Sequence, residues 1–308
     1  MEPSPEIRLT RDAAWAEVDP RTLRRWAERG ELVRPHRGAF MDAAEWAGLS
    51  AEGRYRARVV AAASSSRTRP VVSHLSAAAL HGAPLVGSSL GLVHVVATPG
   101  GGTRTEHGFR KHATGSPSGV VEIDGVPVTT LTRTLADVAL TEPFVTAVAI
   151  LDWAFGHHPI TARDVLDDLE RRGIIRGSRR AEVALAFADA RSGSPGESLS
   201  RVRIHELGFP PPGLQHPFAD AHGSIGIVDF WWPAFRTVGE FDGVAKYVRD
   251  EYARGRSAGD IVIAEKRREN RLRALGLTVA RWDWDDAWRG APLRSRLVEA
   301  GLISRRRR

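Results

Sequence analysis

The chain has 308 residues, of which 42% are apolar and 26% charged, the composition of an ordinary soluble protein with two or three domains. The absence of cysteine excludes disulfides, thiolate metal ligands and cysteine nucleophiles. No stretch is apolar enough to span a membrane, and the net charge of +7 favours a polyanionic partner. We therefore expect a cytoplasmic, nucleoid-associated protein that does not contact a membrane.

The first predicted element is a helix-turn-helix from Arg11 to Gly30, in which Asp19 caps the second helix and Pro20 takes its first position. It is followed by ELVRPHRGAFM, which is typical of the two strands and tight turn of a winged helix. Arginines along the second helix and the wing would contact the phosphates and guanine edges of double-stranded DNA. They are Arg21, Arg24, Arg25, Arg29, Arg34 and Arg37. The alternative is a small helical module whose arginines form a solvated face.

This N-terminal pattern resembles a known family. The run TLRRWAERGELVRPHRGAF is similar to the winged-helix domain of AbiEi-type antitoxins, and the resemblance continues into SHLSAAALHG and VPVTTLTRTLADVAL. It implies a transcriptional repressor of its own operon. A cognate toxin or a neighbouring gene product is the protein partner that it suggests.

The middle of the chain is nearly neutral, since residues 69–190 carry 11 basic and 12 acidic side chains. This balance favours a scaffold or a protein-binding surface over a second nucleic-acid face. We interpret His74, His81 and His94 as ordinary polar or core residues. Thr161 and Asp164 form a predicted capping box, Ser178 is expected to cap the next helix, and RSGSPG marks the clearest boundary. The predicted domains are therefore 1–68, 69–192 and 193–308.

A hairpin dominates the C-terminal third. Alternation predicts that Ile225, Ile227 and Asp229 share one strand face, and Val238 and Glu240 share a face of the next. A turn centred at Ala234–Phe235 would place Asp229 opposite Glu240. Two facing carboxylates repel, and a Mg²⁺ or Mn²⁺ ion between them is the simplest compensation. The alternative is a solvent-facing hairpin whose acids are neutralised by nearby arginines.

An ordered series of motifs carries a second resemblance. The motifs are Asp229, EFDG from Glu240, EKRRE from Glu265 and LGLTVARWDW. Over about residues 193–288 they resemble the PD-(D/E)XK nuclease superfamily and, within it, the very-short-patch-repair-like endonuclease domains of actinobacteria. The resemblance implies DNA cleavage at a metal held by Asp229 and Glu240. Glu197 is either a further ligand on the preceding helix or simply the third residue of a capping box opened by Ser194 and Pro195.

The chain departs from the family pattern at Asp242, where a lysine is expected. A displaced lysine would restore the catalytic ammonium, or Asp242 is instead an added metal ligand on the same face as Glu240. Only three of the 44 basic residues are lysines, and two of them, Lys246 and Lys266, flank this site in sequence. Arg268, with Glu265 and Lys266, would point over the site towards a phosphate, unless Glu265 and Arg268 form only an ion pair within their helix.

These observations predict an α+β multidomain chain with three parts. They are an N-terminal winged helix, a mixed α/β middle domain and a PD-(D/E)XK-like domain with a central mixed sheet. The expected function is a Mg²⁺-dependent or Mn²⁺-dependent DNA endonuclease or nickase in defence or repair. The alternative is an AbiEi-like repressor whose nuclease fold is catalytically silent.

Overall fold

The structure, a computed structural model, describes residues 6–10, 19–98, 100–113, 119–174, 177–243 and 258–305. Three predicted features lie outside these residues: the first helix of the helix-turn-helix from Arg11, Lys246, and the basic tail beyond Arg305. The chain divides into two units, Met1–Ala154 with His158–Ala188, and Phe155–His157 with Asp189–Arg308. Both contain helices and small sheets, which confirms the predicted α+β class.

The elements of the chain up to Phe187 are short. The helices are α1 (Pro20–Glu28), α2 (Ala43–Gly48), α3 (Ala51–Ser65), α4 (His74–Leu80), α5 (Leu131–Thr141), α6 (Phe144–His157), α7 (Ala162–Arg171) and α8 (Ser178–Phe187). The strands are β1 (Arg8–Leu9), β2 (Leu32–His36), β3 (Ala39–Asp42), β4 (Val93–Val96), β5 (Arg104–Glu106), β6 (Phe109–His112), β7 (Val120–Ile123) and β8 (Val126–Thr129). Within the described residues, no helix is long and apolar enough to cross a membrane.

Helix α1 begins as its sequence predicts. The Asp19 side chain accepts a hydrogen bond from the Arg21 backbone N–H at 2.9 Å, and Pro20 is the first helical residue. Leu23 is buried with two residues of the following strands, Leu32 and Phe40. Strand β3 pairs antiparallel with both β1 and β2, so the three strands form a small sheet.

The middle region contains two further small sheets. Strand β6 pairs parallel with β4 and antiparallel with β5, and β7 and β8 form a hairpin. The capping box of Thr161 and Asp164 is confirmed at the start of α7. The expected cap at Ser178 is wrong, because Gly177 takes the capping position with a left-handed φ of 87° that a side chain would strain.

The second unit is built on one mixed sheet. Its elements are α9 (Pro195–Glu206), β9 (Gly213–Asp220), β10 (Gly223–Trp232), β11 (Thr237–Phe241), α10 (Ala258–Ala274), β12 (Thr278–Trp282), α11 (Trp284–Arg289) and α12 (Ala291–Glu299). The strand order is β12-β11-β10-β9, with β12 parallel to β11 and the other pairs antiparallel.

The two faces of this sheet carry different layers. Val238 of β11 is buried in one core with Leu272 of α10. The next residue, Gly239, lies against the Trp282 ring, whose indole N–H donates to the Ser200 hydroxyl of α9 at 2.8 Å. Because strand side chains alternate, Glu240 points to the same layer as Val238, towards α10.

One predicted face is wrong. Ile225 is 7% exposed and lies in the α10 core, whereas Ile227 is 58% exposed. The ladder between β9 and β10 is irregular between Ser224 and Gly226, and Gly226 has a φ of 130°. This bulge inserts one residue, so the simple alternation that joined Ile225 to Ile227 fails.

Candidate functional site

The hairpin of β10 and β11 has the predicted register. Phe230 pairs with Gly239 and Trp232 pairs with Thr237, so the next opposed positions are Asp229 and Glu240. The turn between the strands is a short 3₁₀ helix that ends at Arg236 with a left-handed φ of 45°. The two acids therefore lie directly beyond the last paired positions of this ladder, and their carboxylates contact different groups.

The first group is an acidic pair formed by Glu197 and Asp229. The side-chain amide of Gln215 donates to Glu197 Oε2 at 2.8 Å and to Asp229 Oδ1 at 3.4 Å. The Phe241 backbone N–H donates to Asp229 Oδ2 at 2.8 Å. Glu197 of α9 and Asp229 of β10 thus both accept from the side-chain amide of Gln215 on β9.

Glu197 does not complete the predicted capping box. Ser194 caps α9 by accepting from the Glu197 backbone N–H at 3.2 Å, and Pro195 takes the first helical position, as expected. The Glu197 carboxylate instead accepts from the Gly193 N–H at 2.8 Å and from Gln215. Both of these hydrogen bonds are made by Glu197 Oε2, so the Ser194 N–H that a capping box would use is not its partner.

Burial and mutual repulsion both disfavour the charged form of the acidic pair. Burial, followed by the charge of Glu197, raises the pKa of Asp229 to about 6, against the opposing effect of its hydrogen bonds from Phe241 and Gln215. A buried carboxylate beside another carboxylate favours either a proton or a cation. The pair therefore has the electrostatics of a cation site.

The second group is a charge cluster on the α10 side of the sheet. It consists of Glu240, Glu265, Glu269, Arg268 and Arg281. Glu240 is 5% exposed; one carboxylate oxygen contacts Arg268, and the other lies 2.6 Å from Arg281 Nη2. Arg281 also contacts Glu265 and lies 3.3 Å from Glu269.

The arginines govern the charge of this cluster. Burial raises the pKa of Glu240, and the two guanidinium groups act against that rise. Burial also acts to raise the pKa of Glu265, but Arg268 and Arg281 outweigh it and leave that pKa below its usual value. Both oxygens of Glu240 thus contact arginines, as in the alternative that the sequence left open, but this acid is buried and not solvent-facing.

The remaining predicted site residues are Asp242, Lys266 and Arg268. Asp242 is 4.0 Å from Arg281 Nη1, and its side chain is partly exposed. Lys266 is exposed. Arg268 forms both the predicted ion pair with Glu265, at 3.1 Å, and the contact with Glu240. The structure therefore gathers the predicted residues into two groups, the acidic pair and the charge cluster.

The two groups differ in how well they would hold a metal. Glu197 and Asp229 offer carboxylate oxygens with one amide nearby, whereas both oxygens of Glu240 contact guanidinium groups. No cluster of three or more potential histidine, cysteine, aspartate or glutamate ligands occurs in the parts of the chain that the structure describes. The acidic pair therefore fits a hard cation completed by water and phosphate oxygens, with two protein carboxylates.

The arginines predicted to contact DNA form an exposed set. All six of those assigned to the helix and the wing have exposed side chains. Arg29 pairs with Glu31 at 3.0 Å, Arg25 donates to the Thr22 hydroxyl at 3.0 Å, and Arg34 lies over the Phe40 ring. These contacts leave most of the guanidinium donors directed to solvent.

Two residues of the site were not predicted from the sequence. Gln215 lies on β9, which was not predicted as a strand. Because β9 pairs with β10, it places Gln215 beside Asp229, and only that pairing could have identified the residue. Arg281 interrupts the apolar run LTVARW at a position that alternation places with Val279 on the α10 side. A charged residue on a buried strand face was the available indication of a partner there.

No family model matches the chain. It is 32% identical over 125 residues to the uncharacterized proteins MT2308 and Rv2248 of two Mycobacterium tuberculosis strains, which is 41% of this chain and 41% of each relative. The chain thus matches about two fifths of the length of these relatives.

Proposed function

We propose that this chain is a DNA-binding protein whose second unit hydrolyses phosphodiester bonds with a divalent cation, Mg²⁺ or Mn²⁺. The observation that carries the proposal is the acidic pair, in which Glu197 is buried and Asp229 is half-buried. Both carboxylates accept from one amide, and neither accepts a hydrogen bond from a guanidinium among the described contacts. The PD-(D/E)XK resemblance of residues 193–288 supports the same reaction.

Glu197 and Asp229 would hold the cation, with Gln215 orienting both carboxylates. When bound there, a divalent cation supplies Lewis acidity for phosphodiester hydrolysis. The Phe241 N–H fixes Asp229 from the neighbouring strand, so the carboxylate is positioned before substrate arrives. Glu240 would join this site once Arg268 turns to a DNA phosphate, because that movement removes one of its two guanidinium partners.

The exposed arginines of α1 and of the β2–β3 turn support the DNA-binding half of the proposal. A helix with four arginines on or next to its exposed side, followed at once by two strands and a tight turn, supports the winged-helix interpretation. The AbiEi resemblance of this region supports the same partner. We infer that this module directs the catalytic unit to double-stranded DNA in a cytoplasmic, nucleoid-associated protein.

The second candidate is an AbiEi-like repressor or antitoxin with a silent nuclease fold, acting with a cognate toxin or a neighbouring gene product. The observation that favours it is the charge cluster, since Arg268 and Arg281 neutralise Glu240. The family lysine position is occupied by Asp242, which leaves Lys246 or Lys266 to supply the catalytic ammonium. The two candidates share the DNA-binding module and differ in catalysis.

Cleavage of supercoiled plasmid by the full chain distinguishes them. We expect nicked or linear DNA with Mg²⁺ or Mn²⁺, none with a chelator, and a loss of at least about 100-fold for Asp229→Asn, since metal-based stabilisation contributes several kcal/mol. Asp285→Asn is the matched control, because Asp285 is an exposed acid that pairs with Arg289 on α11.

Metal binding is measured separately by titration calorimetry. Asp229→Asn should weaken Mn²⁺ binding, and Asp285→Asn should leave it unchanged. If the wild type binds DNA but does not cleave it with either Mg²⁺ or Mn²⁺, the result would support the repressor and reject the nuclease.

A further inference from the structure

Three histidines of the first unit lie together beneath a large cavity. His74 of α4, His94 of β4 and His112 of β6 are 0%, 9% and 6% exposed. The rings of His74 and His112 are stacked with their centroids 3.6 Å apart, and His112 Nε2 lies 3.1 Å from His94 Nδ1. We call these three residues the histidine floor. The cavity that they line has a volume of about 1110 Å³, enough for a ligand of nucleotide size.

His74 is fixed on one side only. Its Nδ1 is 2.9 Å from the Ser73 hydroxyl and 3.7 Å from Asp137 Oδ2, and Asp137 is itself held by Arg133 and Arg172. Its Nε2 is buried and has no hydrogen-bond partner among the described residues. A buried polar atom without a partner is destabilising, so His74 Nε2 is the unsatisfied polar group of the histidine floor.

The histidine floor is uncharged at neutral pH. Burial lowers the pKa of His94 to about 4 and that of His112 to about 3, and it holds the pKa of His74 well below its usual value. The floor therefore offers neutral donors and acceptors, and the positive charge of the cavity has to come from other residues.

Two arginines and one glutamate supply the charge at the cavity. Arg110 of β6 is exposed, and its guanidinium forms no hydrogen bond or ion pair with any described residue. Arg180 of α8 donates to the Glu142 carbonyl oxygen. Burial raises the pKa of Glu142, while Arg180 and Arg110 act against the rise. Leu92 and Ile174 add an apolar wall.

This combination favours an organic phosphate over a metal ion. Metal ligation needs ring nitrogens that converge on one point, but the His74 and His112 rings stack with an interplanar angle of 16°. Two guanidinium groups match the charge and fork geometry of a phosphoryl group. The glutamate, the neutral imidazoles and the apolar wall suit a group that carries hydrogen-bond donors and a flat apolar surface.

We propose that this cavity binds a small phosphate ester of nucleotide size, with its phosphoryl group at Arg110 and Arg180 and its remaining polar groups at the histidine floor and Glu142. This site lies wholly in the first unit and does not depend on the proposed nuclease function. It assigns a ligand to a region whose neutral composition had suggested only a scaffold or a protein-binding surface.

Titration calorimetry of the full chain with AMP, GMP, CMP, UMP, their four nucleosides and inorganic phosphate tests the proposal. We expect at least one nucleotide to bind, Arg110→Gln to weaken it at least about tenfold, and its nucleoside to bind at least about tenfold more weakly. Arg163→Gln is the matched control, because Arg163 is an exposed arginine of the same unit that pairs with Asp167 and does not line the cavity.

Three results would overturn the proposal. They are the absence of binding by all the phosphates, equal affinity of the bound nucleotide and its own nucleoside, and an unchanged affinity in Arg110→Gln. Histidine ring signals in NMR provide a second measurement, since the resonances that His112→Gln and His94→Gln remove should shift when the nucleotide is added. Tight Zn²⁺ binding abolished by His94→Gln would assign a metal site instead and would also reject the proposal.

Discussion

At Asp229, burial and a neighbouring carboxylate act together on one side chain. Its pKa is raised to about 6, above the usual 3.8 of an unfolded chain. The folded state therefore binds a proton more tightly than the unfolded state, and the resulting stability is present below pH 4 and lost as the pH rises through 6. This difference between the folded and unfolded pKa of Asp229 corresponds to about 2–3 kcal/mol.

This predicts the effect of Asp229→Asn on stability without metal. Above pH 7 the variant should be more stable than the wild type by about 2 kcal/mol, because the buried negative charge is gone. The difference should shrink to nothing by about pH 4. Urea denaturation across this pH range measures it, with Asp285→Asn as the exposed-acid control. Equal stabilities of wild type and Asp229→Asn at pH 8 would contradict the charge argument.

Arg281 is the residue on which the charge cluster depends. Its guanidinium contacts Glu240, Glu265 and Glu269, and Glu240 is almost fully buried. Arg281→Gln leaves a buried carboxylate with one guanidinium partner in place of two. We expect a loss of about 2 kcal/mol in the free energy of unfolding.

The matched variant for that prediction is Arg273→Gln. Arg273 has a half-exposed side chain and, among the described residues, pairs with Glu269 alone. Its removal should change stability by less than about 0.5 kcal/mol, as for other exposed helix pairs. Denaturation of the two variants side by side, followed by tryptophan fluorescence, compares them. A larger loss in Arg273→Gln than in Arg281→Gln would show that burial does not set the strength of these ion pairs.

At the level of elements, the second unit depends on a close approach between neighbouring strands. A Cβ at Gly239 of β11 would lie 2.4 Å from the Trp282 ring of β12, and Trp282 is 2% exposed. The ring is also held by its hydrogen bond to Ser200, so it has little room to move. Glycine at this position lets the indole lie flat on the sheet.

Gly239→Ala should therefore overpack the sheet and cost about 1–3 kcal/mol. Gly213→Ala is the control on the same sheet, because a Cβ there meets only the Trp231 carbonyl oxygen at 3.7 Å, an ordinary contact. Thermal denaturation of the full chain measures both. A Gly239→Ala protein as stable as Gly213→Ala would mean that the Trp282 ring shifts without cost.

At the level of the whole molecule, the charge excess favours DNA through sequence-independent contacts. Residues 191–308 carry 21 basic and 15 acidic side chains, and the N-terminal module adds the exposed arginines of α1. Each arginine that neutralises a phosphate contributes about one unit to the slope of log K against log salt.

Replacing Arg24 and Arg25 with glutamine should lower that slope by about two, if both contact phosphates. Arg179→Gln, at an exposed arginine of α8, should leave the slope unchanged. Fluorescence anisotropy with double-stranded DNA across a salt series measures the slopes. An unaltered slope in the Arg24 and Arg25 variant would place the DNA-binding surface elsewhere.

The features that the sequence determined by itself are local. The cap at Asp19, the capping box of α7 and the hairpin register that opposes Asp229 and Glu240 follow from residues a few positions apart, because turn geometry and alternation act over that range. The bulge at Gly226 interrupts the alternation of side chains along β10, because one extra residue enters its ladder with β9.

Only the tertiary structure decided which charges meet. Glu240 faces Arg268 and Arg281 because α10 and β12 pack against its strand, and Glu197 joins Asp229 through Gln215 because three separate elements converge there. His112 likewise reaches His74 only through the packing of β6. Contacts between residues distant in sequence depend on how the layers fit together, and local periodicity contains no information about that fit.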